Sequence, residues 1–446
     1  MKKIFSCIIL LVTLVALPAF SQKADGPREF TVEGIKVIFK PSVKEIASVR
    51  LFIKGGTSNF KKEEEGIEAL ALAVATQGGT KTLTKTEYAT ALEKIGTTIG
   101  TSSSLDYSEV NLSCVKTYWD ASWKLFADAI SNPRFDEKEF ALIKGQMVAG
   151  AKQTEADPDA HLLTQSLQNT FAGKNYSKKA TGTAASLEKL TLDQVQKYYG
   201  SLIGKQNAFI VVVGDISETD IKAKISSAFK GWGAGKSVTP EKPTDFKPEA
   251  TIENRDIATN YIRGLMPAPP RNTKEGVSMR LATAIMYDRF FVELRTKRSL
   301  SYAPGVNYAS SAITNPYAIF YISTIDPKQS LQVMIDQIND VKNNGFTEKE
   351  LKDMKESYLT THFMGLETND SQTFSIGTSE VAGDWKKSES FMQDVEKATV
   401  QDLNAVFKKY SSSINWTYLG KADAVTKGDF KQPQLLPENA KISPKK

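Results

Sequence analysis

Apolar and polar residues alternate with a period of two in the first strands of the chain. Phe30-Thr31-Val32 and Val37-Ile38-Phe39 flank Gly34 and predict a hairpin, and Ala47 to Lys54 predicts the next strand. The apolar period then lengthens to that of a helix over 66–77, 85–94, 117–130 and 136–170, the last with a break near Pro158. Strands at 96–103 and 106–115 sit among these helices. A second series follows: a strand at 258–266, a helix at 274–293, strands near 303–311 and 315–324, and helices at 328–343, 347–364 and 398–410. Strands and helices segregate instead of alternating strictly, which predicts an α+β architecture and not a doubly wound parallel sheet.

The second series echoes the first. Phe135-Asp136-Glu137-Lys138-Glu139-Phe140, with Lys144 after it, returns as Phe346-Thr347-Glu348-Lys349-Glu350-Leu351, with Lys355 after it. Each opens a helix with an acidic first turn, which suits the helix dipole. Thr191 to Val195 leads through Tyr198 and Tyr199 into an apolar strand ending at Gly214. Its echo, Thr399 to Leu403, leads through Phe407 and Tyr410 into a strand ending at Gly420. Two matches in the same order, both about 210 residues apart, predict duplicated domains. Gly233 to Pro248 is rich in Gly, Lys, Pro and Thr and reads as the connection between them. The expected organisation is a first domain over 22–235, a linker over 236–250, a second domain over 251–436 and a tail over 437–446.

Composition narrows the class. Of 446 residues, 41% are hydrophobic and 24% charged, a globular balance. The net charge of +6 comes without a dense Lys/Arg stripe, which argues against nucleic-acid binding. At the N-terminus, Lys2 and Lys3 precede an apolar run from Ile4 to Leu17, and Ala19-Phe20-Ser21 fits a cleavage site. The expectation is a secretory signal peptide over 1–21. The run is shorter than the roughly 20 residues that span a bilayer, so no membrane anchor is expected after cleavage. A periplasmic protein of a Gram-negative bacterium is the implied setting. Cys7 lies in the leader, which leaves Cys114 in a strand-like context, read as a buried structural thiol. One thiol can form neither an internal disulfide nor a cysteine-based zinc site.

Three segments together resemble the pitrilysin/insulinase family of zinc metallopeptidases and its non-peptidase relatives. The first is Gly66 to Thr80, GIEALALAVATQGGT, an alanine-rich helix closed by two glycines. The second runs from Ala172-Gly173-Lys174-Asn175-Tyr176 through Thr181-Gly182-Thr183 to Val211-Val212-Val213-Gly214-Asp215. The third is Leu294-Arg295-Thr296-Lys297-Arg298-Ser299-Leu300-Ser301-Tyr302. The resemblance spans nearly the whole mature chain. It implies two homologous α+β domains with mixed, mainly antiparallel sheets packed by helices, in a half-length bacterial chain of the kind that pairs to enclose a peptidase chamber.

The resemblance also implies a zinc helix with the inverted motif HxxEH, a glutamate base beside the second histidine and a glutamate ligand from a later helix. Two imidazoles four residues apart share one helical face and can hold one zinc. Here the ligand positions are Ala69, Ala73 and Gly150 and the base position is Leu72, none of which can ligate or take a proton, and a slip of one residue restores nothing. The chain has only two histidines, His161 and His362, and neither has a second ligand in local spacing. Glu63, Glu64, Glu65 and Glu68 read as an acidic cap at a helix start. No metal or other cofactor is expected in this chain, and zinc is expected in a partner subunit of half length bearing HxxEH.

The opposite side of the family's site remains. The resemblance assigns Arg295 and Tyr302 to substrate binding, with Arg298 a rival for the arginine role. Arg offers five fixed donors for a peptide carbonyl or an acidic terminus, and Tyr can donate to a developing oxyanion. Two functions follow as expectations. One is a zinc-less subunit of a heteromeric periplasmic metallopeptidase acting on unstructured peptides. The other is an inactive peptide-binding or scaffold protein of the same fold.

Overall fold

The computed structural model describes residues 26–309 and 311–432, so the expected signal peptide over 1–21 and tail over 437–446 lie outside the described residues. The N-terminal half contains strands β1 (Arg28–Val32), β2 (Ile35–Pro41), β3 (Ile46–Lys54), β4 (Thr98–Ser103), β5 (Tyr107–Val115) and β6 (Ala208–Gly214). Its helices are α1 (Ile67–Gln77), α2 (Lys85–Lys94), α3 (Trp119–Ser131), α4 (Glu137–Ala156), α5 (Pro158–Thr170), α6 (Ala184–Lys189), α7 (Leu192–Leu202) and α8 (Glu218–Phe229). The C-terminal half contains β7 (Ala250–Asn254), β8 (Asn260–Pro267), β9 (Gly305–Tyr308), β10 (Tyr317–Thr324) and β11 (Asn415–Gly420). With them come α9 (Lys274–Phe290), α10 (Pro327–Asn344), α11 (Glu348–Gly365), α12 (Asn369–Val381), α13 (Lys386–Lys397) and α14 (Val400–Tyr410).

The two sheets share one topology. Strand order is β1-β2-β6-β3-β5-β4 in the first and β7-β11-β8-β10-β9 in the second. Each contains one parallel pair, β2 with β6 and β7 with β11, and is otherwise antiparallel. Strand β1 is the extra member, joined to β2 through Glu33 and Gly34, both at positive φ, which a tight hairpin turn requires. The helices repeat as well. Asp136 caps α4 and Thr347 caps α11. Lys144 on α4 donates to the carbonyls of Glu188 and Leu190 at 3.2 and 3.1 Å, and Lys355 on α11 donates to those of Glu396 and Ala398 at 2.8 and 2.7 Å. The two echoed lysines therefore perform the same structural task.

The long helix expected over 136–170 divides at Asp157, whose carboxylate caps α5 at the Ala160 N–H while Pro158 occupies its first turn. The strand expected near 303–311 is confined to Gly305–Tyr308. Residues 231–249 have no regular secondary structure, yet Phe246 packs on Phe171 and the Thr244 N–H donates to Asn315 at 2.7 Å. Helices α12 and α13 have no counterpart among the expected elements.

Each sheet buries both faces. On β6, Ile210 and Val212 point into the core formed with Trp123, Phe126 and Phe229 of the same half. Phe209, Val211 and Val213 point the other way and meet Ile376 of α12 and Trp385 from the C-terminal half. The run Ala208–Gly214 is buried at every position for that reason. The second sheet mirrors this: α5 of the first half packs on β8 and β11. Each half thus lends a helix to the other's sheet. Polar bonds tie the same seam. Asp106 accepts from the N–H groups of Ile313 and Thr314 and from the Thr314 hydroxyl at 2.7, 3.3 and 2.6 Å, and from Tyr176. Arg50 pairs with buried Glu109 and, across the seam, donates to Asp370 at 2.8 Å and Thr373 at 3.1 Å.

Candidate functional site

Helix α1 forms as its composition dictates, from alanine and leucine after Gly66 in the left-handed region. Its side chains are spent on packing. Leu72, at the base position, is fully buried in the core under the sheet. Ala73 lies in the seam with α4, in a cluster that includes Leu70, Val74, Ile143 and Ala151. Ala69 is half-buried, and Gly150 is on the exposed side of α4 with open space around it. Among the described residues, no group of three or more His, Cys, Asp or Glu side chains is placed to hold a metal ion.

The acidic residues before and in α1 are not all a solvated cap. Glu65 is buried, bonded to Lys62 and accepting from the Lys179 N–H at 2.9 Å. Glu68 is fully buried and accepts hydrogen bonds from Ser108, Tyr198 and, at 3.0 Å, Asn59. Burial pushes its carboxyl above the usual range, and the three donors pull it part of the way back. The signal was present in the sequence: Glu68 sits beside Ile67 and three residues before Ala71, on the inward stripe of the helix.

The second half holds its predicted pair together. Helix α9 runs into a wider π turn over Phe291–Thr296, in which the Lys297 N–H bonds the Val292 carbonyl at 2.9 Å. Ser299 takes a positive φ of 53°, and the Leu300 N–H returns to the Leu294 carbonyl at 2.8 Å. Buried Leu294 and Leu300 pin the two flanks of this loop. Arg295 and Tyr302 therefore face outward. The Arg295 guanidinium lies between two rings, 4.8 Å from the centroid of Phe291 and 4.2 Å from that of Tyr302. Tyr302 is 81% exposed. Neither its hydroxyl nor the Arg295 guanidinium has a hydrogen-bond partner among the described residues, so their donors are free for a ligand. Arg298, the rival, is committed to Glu293, bonding its carboxylate and, at 2.9 Å, its carbonyl.

The remaining candidates separate. His161 on α5 reaches Glu253 of the second half at 3.0 Å. His362 on α11 packs on Phe391, ring centroids 5.4 Å apart, far along the chain from His161 and with no second ligand among the described residues. Cys114 is buried, and burial raises its thiol pKa. No helix among the described residues is long and apolar enough to cross a membrane.

Comparison with known proteins agrees with this fold. The model of the insulinase family, peptidase family M16, matches residues 36–184, and that of the peptidase M16 inactive domain matches residues 189–358. A Helicobacter pylori protein named non-peptidase homolog YmxG is 21% identical over 428 residues, spanning 94% of this chain and 98% of its own. The crystal structure of a peptidase M16 inactive domain from Pseudomonas fluorescens superposes with a TM-score of 0.82 at 20% identity, over 89% of this chain and 98% of the other. The periplasmic protease PqqL from Escherichia coli superposes with a TM-score of 0.73 at 14% identity; the match takes in 94% of this chain and 49% of PqqL.

Proposed function

Because the chain belongs to the insulinase (M16) peptidase family, with both of its domain types in one half-length polypeptide, we propose that it is a catalytically inactive member that holds peptides for a zinc-bearing partner. The observation that carries the reading is the asymmetry between its two halves. The metal helix has alanine and leucine packed where ligands and base would stand. Tyr302 stays exposed with half-buried Arg295 stacked on it, and neither has another polar partner among the described residues.

In this reading Arg295 holds a peptide carbonyl or terminal carboxylate through its fixed donors, and stacking on Phe291 and Tyr302 limits the rotamer entropy lost on binding. Tyr302 donates to the same backbone. The partner is a half-length chain with HxxEH, which supplies zinc and the base; the two chains enclose unstructured peptides in the periplasm. The names of the H. pylori non-peptidase homolog and the P. fluorescens inactive domain support loss of autonomous activity. PqqL, twice as long and described as a periplasmic protease, supports a two-half assembly in that compartment.

A second reading, an inactive peptide-binding scaffold with no catalytic partner, draws on the same relatives. Co-expression with HxxEH-bearing half-length chains from the same genome separates the two. A stable complex that cleaves an unstructured peptide, and loses that activity with Arg295→Ala plus Tyr302→Phe, supports the first. Peptide binding to the isolated chain, with no complex formed, supports the second. Zinc bound one-to-one by the purified chain alone would overturn both.

A further inference from the structure

The C-terminal half contains a cavity of about 310 Å³ walled by α9, α11, α12 and α13. Its place in the fold mirrors that of the emptied metal helix. Helix α9 packs on α11 and α14 as α1 packs on α4 and α7, and Thr361 on the wall occupies in α11 the place that Gly150 occupies in α4. Where the first repeat is filled by alanines, the second is open and cationic.

Three fixed cations, Arg271, Arg280 and Lys387, line the cavity against one carboxylate, Asp394. Asp394 is already engaged by Lys387 at 3.4 Å. The Arg280 guanidinium makes no hydrogen bond or ion pair among the described residues, and its Nε is buried without a partner. It is held instead against two rings, 5.0 Å from the centroid of Phe391 and 5.5 Å from that of Tyr308. Burial, with Arg280 nearby, drags the Arg271 guanidinium down to about 10, a sign of two like charges crowded in a poorly solvated space. His362 on the same wall is held below its ordinary value by burial and then by Arg280, so it is neutral at pH 7. Arg280 is half-buried with its Nε shut off from water and unpartnered, so an anion entering the cavity would meet a donor that no protein group satisfies.

We propose that this cavity binds a carboxylate carried on an aromatic or apolar body, with Arg280 taking the carboxylate and Phe391 and Tyr358 the body. The mixed walls decide the body: aromatic and aliphatic side chains stand beside the arginines, where a bare inorganic oxyanion would leave apolar surface wet. The site is separate from Arg295 and Tyr302 and does not depend on a catalytic partner.

The chain's two histidines provide the reporter, since only His362 lines the cavity while His161 lies on α5. The full chain, labelled at histidine, is titrated with N-acetylphenylalanine, with its uncharged amide and with inorganic phosphate, and the imidazole resonances are followed by NMR. The acid should move the His362 signal to saturation and leave His161 in place, with the amide inert and phosphate weaker. Arg280→Gln should weaken the acid at least about tenfold, the loss of one charge-assisted contact. If that variant fails to fold, Lys387→Gln at the rim should weaken it several-fold. Equal response to acid and amide, phosphate matching the acid, movement of both histidines together, or unchanged affinity in the folded variants would overturn the assignment.

Discussion

The Arg295 guanidinium lies 4.2 Å from the centroid of the Tyr302 ring, although seven positions separate them in the chain. The π turn and the positive φ of Ser299 make that possible by folding the segment back on itself. The contact is exposed, so it contributes little to stability, about 0.5–1 kcal/mol. Arg295→Ala and Tyr302→Phe should each shift the unfolding free energy by no more than about 1 kcal/mol. In a reconstituted complex with a zinc-bearing partner, Tyr302→Phe should lower kcat for a peptide by about 10²–10³, the effect of removing one oxyanion donor. Wild-type turnover in that complex would remove Tyr302 from the mechanism.

Arg50 joins the halves through partners on both sides. Its salt bridge to Glu109 is buried, and burial outweighs Arg50 in holding Glu109 above the usual carboxylate range. Removing the guanidinium alone strands that carboxylate. Arg50→Ala should cost about 3–5 kcal/mol in urea unfolding, and adding Glu109→Gln should recover part of the loss. Strictly additive losses would show that the two residues are not coupled.

Gly377 on α12 lies against the ring of Phe52 on β3, and a Cβ there would fall inside the ring's van der Waals envelope. Phe52 is fully buried and stacked on Phe209, 5.0 Å between centroids, so it has no room to yield. Gly377→Ala should destabilise the protein by about 1–3 kcal/mol, despite the better helix propensity of alanine. Adding Phe52→Leu should relieve part of that loss; a more stable Gly377→Ala variant would mean that α12 does not pack as closely as described.

The same helix shows where sequence reading stops. The strands and the amphipathic helices were legible because period two and period 3.6 report one buried face each. The duplication was legible because Lys144 and Lys355 repeat a structural task. Helix α12, Asn369–Val381, was missed: its buried positions are Asn369, Thr373, Gly377, Thr378, Ser379 and Glu380 around Ile376, mostly small or polar residues that read as a loop. They are buried because the other half's sheet presses on them, a long-range fact that no local window contains. Glu68 failed for the complementary reason. A glutamate at a helix start suits a solvated cap, and that reading outweighed its place on the inward stripe, where it meets Ser108 and Tyr198.

Glu68 also gives the chain a titration of known sign. Its carboxyl is fully buried and its pKa lies above 4.5, the value for an exposed glutamate, with burial the largest cause. The folded state therefore holds this proton more tightly than the unfolded state. The stability it contributes is fully present below pH 4.5 and is lost as pH rises through the folded-state value. Asp106 and Glu109 are raised too, so the contribution of Glu68 is read as a difference between variant and wild type. Glu68→Gln keeps an acceptor for Tyr198 and Asn59 and offers its amide to the Ser108 hydroxyl, without a titrating proton. Relative to wild type, it should gain stability as pH rises above 4.5 and level off once pH passes the folded-state value of Glu68, measured by urea unfolding across a pH series. Glu68→Ala should instead lose about 2–4 kcal/mol, since Tyr198 would be left as a buried donor without an acceptor and Ser108 would keep only Ser103. A difference between Glu68→Gln and wild type that stays flat with pH would mean that Glu68 ionises in the folded chain as freely as in the unfolded one.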